Sequence, residues 1–212
     1  EIPKRDWSSD VCSSDLLKLG EIRSRYTSDM PTPYPSLFSP YTLAGKSLKN
    51  RIVHASMNTH MAANTRVTEQ LIQYHANRAK GGAGMIVTEP ISMAPHQNVV
   101  YRVRAWNDDN LDGLKRWADA VEQQDCRLLG QIQDPGRGRH NTGINSDAIG
   151  ASALPDDLSW LMPRALSVGE IRAMVEAFAN SAQRLQRCGF SGVEISGVHG
   201  HLFHQFLSPW SN

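Results

Sequence analysis

Along most of its length the chain alternates between short apolar runs of strand length and longer stretches with one apolar face. Leu37 to Leu43 alternates, Ala44-Gly45-Lys46 offers a glycine turn, and Ser47-Leu48-Lys49-Asn50 resumes the alternation, which predicts a β-hairpin. Arg51-Ile52-Val53-His54-Ala55-Ser56-Met57 predicts a short strand. Three helix–strand units follow. Thr68 can cap a helix with Leu71, Ile72, His75 and Ala79 on one side and Gly81-Gly82 as its stop, ahead of the strand Ala83 to Thr88. Leu111, Leu114, Trp117 and Val121 fall at helical spacing ahead of the strand Leu128 to Ile132. Ser167 and Glu170 form a capping-box pair at the head of an apolar stripe of Ile171, Met174, Val175, Phe178, Ala182 and Leu185. That helix ends at Gly189 and feeds the strand Gly192 to Ser196.

The order β-α-β-α-β-α-β implies parallel strands joined by crossover helices, an α/β fold. Links from helix to strand are tight, whereas links from strand to helix are long, above all Asp134 to Leu166. In a TIM (β/α)8 barrel the loops after the strands build the active site, while the opposite face only holds the barrel together. The pattern predicts about four βα units, the N-terminal half of such a barrel, entered through an N-terminal β-hairpin. A doubly wound dinucleotide fold is the alternative, and the one-sided long loops argue against it. A whole barrel takes roughly 250 residues, so residues 34–212 are expected to form a truncated one.

Residues 1–33 are set apart as a non-native or disordered leader. Residues 6–16 resemble a sequencing-adapter sequence translated as if it were coding, and no hydrophobic period there would bury anything. Elsewhere the 40% apolar and 20% charged residues are those of a globular protein. A net charge of +1 argues against nucleic acid or acidic membrane as a partner. No apolar run approaches the ~20 residues of a membrane span. Cys12, Cys126 and Cys188 are far apart and odd in number, which suits free thiols in the cytoplasm better than disulfides or zinc.

The glycine-rich stretches are poor phosphate cradles. Gly81-Gly82-Ala83-Gly84 precedes a strand, whereas a dinucleotide fingerprint follows one and opens a helix. Gly136-Arg137-Gly138 follows a strand, but no helix is expected to start there. His199, His201 and His204 cluster after the last strand, and a His-x-His pair can bind zinc. No acidic residue lies close enough in sequence to complete such a site, so no metal is assigned. On the third barrel strand Gln131 and Gln133 share a face; on the fourth, Glu194 and Ser196 share one and Val193 and Ile195 the other. With Val193 and Ile195 toward the outer helices, Gln131 and Ser196 would point inward at the rim, where polar groups need partners. A ring ligand rich in carbonyl and imide groups would suit the glutamine amide. The basic run Arg137-Arg139-His140 either meets a nucleotide or coenzyme-A phosphate or is a solvated loop.

Three runs then resemble one family. They are the hairpin with Leu48-Lys49-Asn50-Arg51-Ile52-Val53, the run Arg78-Ala79-Lys80-Gly81-Gly82-Ala83-Gly84-Met85-Ile86-Val87-Thr88-Glu89, and Gly192-Val193-Glu194-Ile195 through His199-Gly200 to Gln205-Phe206-Leu207-Ser208-Pro209. In this order, across Tyr34 to Asn212, they resemble the Old Yellow Enzyme family of FMN oxidoreductases. The turn Ser56-Met57-Asn58-Thr59 is closer to the dienoyl-CoA reductase and trimethylamine dehydrogenase branch.

The resemblance implies FMN as cofactor and NADH or NADPH as reductant. It implies that Ala55, Ser56, Met57 and Asn58 pack against the isoalloxazine ring, that the backbone of Pro90 borders it, and that Gln131 bonds its pyrimidine edge. His199 would bind the substrate's electron-withdrawing group, and His201 stands where relatives carry a tyrosine proton donor. Ser196 stands where many relatives carry histidine or asparagine, and His60 where some have a substrate-contacting tyrosine. The implied activity passes hydride from NAD(P)H through FMN to an activated alkene, of enoate or dienoyl-CoA type, with a small molecule as the only partner beyond a possible oligomer of the full-length enzyme. The alternatives are an FMN amine dehydrogenase of the trimethylamine dehydrogenase type, with a 4Fe-4S cluster and FAD in a C-terminal part, or an inactive truncated fragment.

Overall fold

Each stretch with a 3.6-residue apolar period is a helix, and each short apolar run between helices is a strand. The computed structural model describes residues 34–142, 148–155 and 162–212; the leader, with its adapter-like stretch and Cys12, and the side chain of His140 lie outside the described residues. After one helical turn, α1 (Pro35–Phe38), β1 (Tyr41–Leu43) and β2 (Lys46–Leu48) form the hairpin, turned by Ala44 and Gly45 at positive φ. Then come β3 (Val53–His54), α2 (Glu69–Lys80), β4 (Met85–Ile91), α3 (Leu111–Glu122) and β5 (Arg127–Ile132). The long connection carries a small pair, β6 (Ile149–Gly150) and β7 (Arg164–Ala165), before α4 (Val168–Arg187), β8 (Gly192–Ile195) and α5 (Leu202–Leu207).

The main sheet has the order β3-β4-β5-β8, parallel throughout, so every crossover is a helix. The sheet's outer face, with Ile86, Leu128 and Ile132, packs on Leu71 and Ile72 of α2, Leu114 and Trp117 of α3, and Phe178 and Leu185 of α4. Its other face carries a smaller cluster in which Leu48 of the hairpin meets Met85, Val87 and Leu129. Gly130 is required where α4 crosses β5, because a Cβ there would lie 2.6 Å from Leu185 Cδ1. The caps are those the sequence predicts. Thr68 Oγ1 accepts from the Leu71 N–H, and Ser167 and Glu170 close a full capping box.

Four expectations are corrected. β3 keeps only two residues, since only Val53 and His54 pair with β4, and Ala55 onward leaves the sheet as loop. Val175 lies beside the buried stripe of α4, which runs through Phe178, Ser181 and Leu185, and is 60% exposed. Ile195 is half exposed because no described helix covers the end of β8, whereas Val193 does pack on the core. A 3-10 stretch, Gly136–Thr142, also opens directly after β5 where plain loop is expected.

Two buried polar groups hold the helices and loops in place. In the core the Trp117 indole N–H donates to His75 Nδ1 (3.2 Å). Burial pushes the His75 pKa down to about 4, against the pull of the Leu71 carbonyl, with neighbouring His54 and Arg78 adding to the depression. At the end of β5 the Asp134 carboxylate accepts from His96 Nε2 (2.6 Å), Gln97 Nε2 (2.8 Å), the Gly136 N–H (2.6 Å) and Arg139 Nη2 (3.0 Å). Burial alone would raise its pKa; the His96 hydrogen bond and the Arg139 charge outweigh burial and hold it below the usual carboxylate value.

Asp134→Asn puts an NH2 among four donors and leaves Arg139 buried beside a neutral group. It should destabilise the fold by about 3–5 kcal/mol, and an unchanged urea midpoint would contradict this role. For His75 the proton affinity is depressed by folding, so its contribution is complete above pH 6.5 and is lost as the pH falls toward about 4. That loss should reach about 3 kcal/mol. Urea titrations across this window should show a shallower decline in His75→Gln than in the parent.

Candidate active site

The register of the sheet assembles the site's floor. Pro90 lies opposite Gln131, and Gln131 opposite Glu194, so three strands place these residues in one row at their C-terminal ends. Between Val87 and Pro90 the register shifts, and this irregularity is pinned by Thr88, whose Oγ1 accepts the Gln131 N–H (3.1 Å) and donates to the Glu89 carbonyl (2.8 Å). Gln131 Nε2 donates to Glu194 Oε1 (2.7 Å), so the two side chains share a face, and Gln131 Oε1 has no partner among the described residues.

The shift turns Glu89 into a clamp. Its buried Oε2 accepts from both the backbone N–H and the hydroxyl of Thr59, each at 2.6 Å. This fixes the loop after β3, in which Ala55, Met57 and Asn58 are exposed and Ser56 is partly buried. His60, at φ +56°, packs against Tyr101 with ring centroids 4.4 Å apart and the rings tilted by 43°. Nothing in the sequence marks Glu89 as a positioning residue beyond its place at the end of a strand.

The loop after β8 docks on the loop after β5. The Leu202 N–H donates to the Asp134 carbonyl (3.0 Å), and Gln205 Nε2 to the Gly200 carbonyl (2.7 Å). Gly136, at φ +58°, has no room for a Cβ because the Gln205 amide fills the space. Ser196 is buried, His199 sits at φ +59° in the turn with Gly200, and His201 is the N-cap residue of α5. The rings of His199 and His201 are 5.7 Å apart, while His204 on α5 accepts the Gly200 N–H and is exposed. Among the described residues no three metal-ligating side chains come together.

Charge on this face is uneven. Burial first, then the charges of His199 and Arg102, push the His201 pKa below its ordinary value, with Asp134 opposing. Arg102 was not singled out in the sequence. Burial lowers its pKa while Tyr101, Glu89 and Asp134 support its charge, which places it electrostatically among the strand ends. The basic run splits. Arg139 turns inward to Asp134, while Arg137 stacks on Trp210 with 4.8 Å from its Cζ to the ring centroid. A cavity of about 410 Å³ lies elsewhere, between His96, Arg139, Arg164 and the start of α4, and includes none of the row or loop residues. Cys126 and Cys188 are buried free thiols, Cys126 pushed up to about 11 by burial.

Known proteins resemble this chain in sequence and in fold. The chain is 35% identical over 176 residues to a "Metal reductase" of Desulforamulus reducens, covering 83% of this chain and 26% of that protein. It is 32% identical over 179 residues to an NADPH dehydrogenase of Geobacillus sp. (strain WCH70), covering 83% and 52%. Among solved structures, a 2-naphthoyl-CoA reductase complex superposes with a TM-score of 0.78 at 27% identity, over 84% of this chain and 30% of that one. Morphinone reductase with tetrahydroNAD gives 0.76 at 28%, over 84% and 53%. The chain thus spans about half the length of these relatives, or less, and its four βα units are part of the TIM barrel of the Old Yellow Enzyme neighbours. The family model described as NADH:flavin oxidoreductase / NADH oxidase matches residues 36–212, and the chain belongs to that family.

Proposed function

We propose that the chain supplies the flavin-facing part of an FMN-dependent oxidoreductase that takes hydride from NADH or NADPH and delivers it to an activated alkene. The observation that carries this is the row Pro90–Gln131–Glu194 beside the clamped loop from Ala55 to Asn58. These residues fit the ring of a flavin. The loop leaves an open shelf, Pro90 gives a rigid edge, and the unpartnered Gln131 Oε1 can accept a ring N–H. Bound there, FMN supplies the hydride chemistry, and the protein orients it.

On the substrate side, His199 would donate to an electron-withdrawing oxygen and stabilise the charge that develops on it. His201 is the candidate proton donor, but its lowered pKa confines the imidazolium to the acid side of 6.5. Ser196 is buried and His60 is engaged with Tyr101, so both bound the site and shape its width. Relatives described as a morphinone reductase and a 2-naphthoyl-CoA reductase support a conjugated acceptor.

A second reading is amine oxidation in a longer enzyme with an iron–sulfur cluster and FAD. What fits its longer architecture, though not its amine substrate, is that the chain covers only 26% and 30% of two relatives, both described as reductases. Stopped-flow absorbance separates the two: an enone should reoxidise the reduced flavin, whereas trimethylamine should reduce the oxidised one only under the second reading. No described helix is long and apolar enough to cross a membrane.

Gln131→Leu should weaken FMN binding by about 1–3 kcal/mol, read by titrating apoprotein with FMN; unchanged affinity would show that the amide faces something else. His201→Phe should slow flavin reoxidation by an alkene while sparing flavin reduction by NAD(P)H. In the parent, reoxidation should fall as pH rises through a value below 6.5, because the protonated donor is lost there. The variant should lack that limb, and identical profiles would remove His201 from the proton-transfer step.

A further inference from the structure

Arg137 is not accounted for by ordinary pairing. Its guanidinium rests on the Trp210 ring, and its Nη1 is buried with no hydrogen-bond partner. Arg139, in the same loop, shows the usual solution, buried against the Asp134 carboxylate at 3.0 Å. A buried N–H without an acceptor is costly, and more so on a charged group. Among the described residues no acceptor lies within hydrogen-bond distance of Arg137 Nη1: Asp134 is occupied by His96, Gln97, Gly136 and Arg139, Glu89 Oε2 by Thr59, and the buried Glu89 Oε1 and Gln205 Oε1 are themselves without partners.

What surrounds Arg137 instead is the histidine loop. Its Nη2 lies 4.0 Å from the point where a Cβ on Gly200 would sit, and His201 Cδ2 lies 3.9 Å from the corresponding point on Gly138. The guanidinium and the imidazole thus each lie within van der Waals reach of the glycine turn on the opposite loop. His201 Nδ1 is likewise buried without a partner, and the His199 ring is the next group along. Trp210 lies under the guanidinium at 4.8 Å and supports its charge, while the N–H of Nη1 stays without an acceptor.

We propose that Arg137, backed by Trp210 and flanked by His201 and His199, is a recognition site for a carboxylate on the substrate. This rests on the flavin-enzyme reading for its place beside a reacting ring. The planar fork matches a carboxylate with two parallel hydrogen bonds, whereas a neutral amide of the same shape offers no charge and presents an NH2 to a donor. A tetrahedral phosphate shares the negative charge but not the planar match.

The test is isothermal titration of the FMN-loaded protein with benzoate, benzamide and inorganic phosphate, with flavin absorbance recorded separately. Benzoate should bind at least about tenfold more tightly than benzamide and more tightly than phosphate. Arg137→Met should abolish that preference while FMN is retained. Arg137→Lys, which keeps the charge without the fork, should lose most of it, and this variant decides the matter if Arg137→Met does not fold. Equal affinities, a preference that survives in Arg137→Met or fully in Arg137→Lys, or phosphate bound most tightly would each overturn the proposal. A protein that holds no flavin would count against the flavin reading alone, since the benzoate–benzamide comparison still reports on Arg137.

Discussion

A carboxylate in the protein interior must have its oxygens paired, and this fold uses that requirement to gather its strand-end loops. Asp134 follows β5 closely and draws in His96 and Gln97 from the loop after β4, Gly136 and Arg139 from its own loop, and, through its carbonyl, the start of α5 after β8. Loops carry active sites in such barrels because they can vary, yet a site needs them fixed to a fraction of an ångström. One fully paired acid does this where no apolar core reaches. The apolar core lies on the other side of the strands, between sheet and helices.

Glu89 applies the same physics to the loop after β3. The irregularity in β4 gives the strand an extra residue, and that residue is the acid that grips Thr59. The shift also brings Pro90 level with Gln131, so one backbone irregularity sets both the floor of the site and the position of its wall. Arg139 and Arg137 show the converse. Both are half or more buried cations in a single loop, yet only Arg139 is given a carboxylate.

The helices and strands were legible because their signals are local and repetitive. Thr68 and Ser167 announce their caps, and Leu114, Trp117 and Val121 mark a buried face with no knowledge of what covers it. Gln131 was legible as an inward amide from alternation alone, and its bond to Glu194 bears out the shared face. Strand length was not, because β3 extends only as far as its neighbour pairs with it. Asp134, Glu89 and Arg102 were also missed as site residues, since their partners lie far along the chain and no period marks them. A lone acid directly after a strand, followed by glycine and arginine, is the one hint that Asp134 offered.

These placements share a consequence for charge. Of the two buried acids at the strand ends, Asp134 turns both oxygens to its ring of donors, while Glu89 turns Oε2 to Thr59 and keeps a buried Oε1 without a partner. Arg102 and Arg137 remain facing the loops with His199 and His201, and the depressed pKa of His201 registers part of that positive surplus. Hydride addition to a conjugated acceptor places negative charge on the oxygen remote from the carbon attacked. A site whose cations and donors are fixed beforehand stabilises that charge without having to reorganise, which is the principal way a protein lowers such a barrier. Burial is the larger reason that His201 is a reluctant cation; the charges of His199 and Arg102 add to it, and that second part alone would favour a developing anion. Positive charge that would stabilise an oxyanion also makes His201 harder to protonate, and the loops that Asp134 holds together set the balance between them.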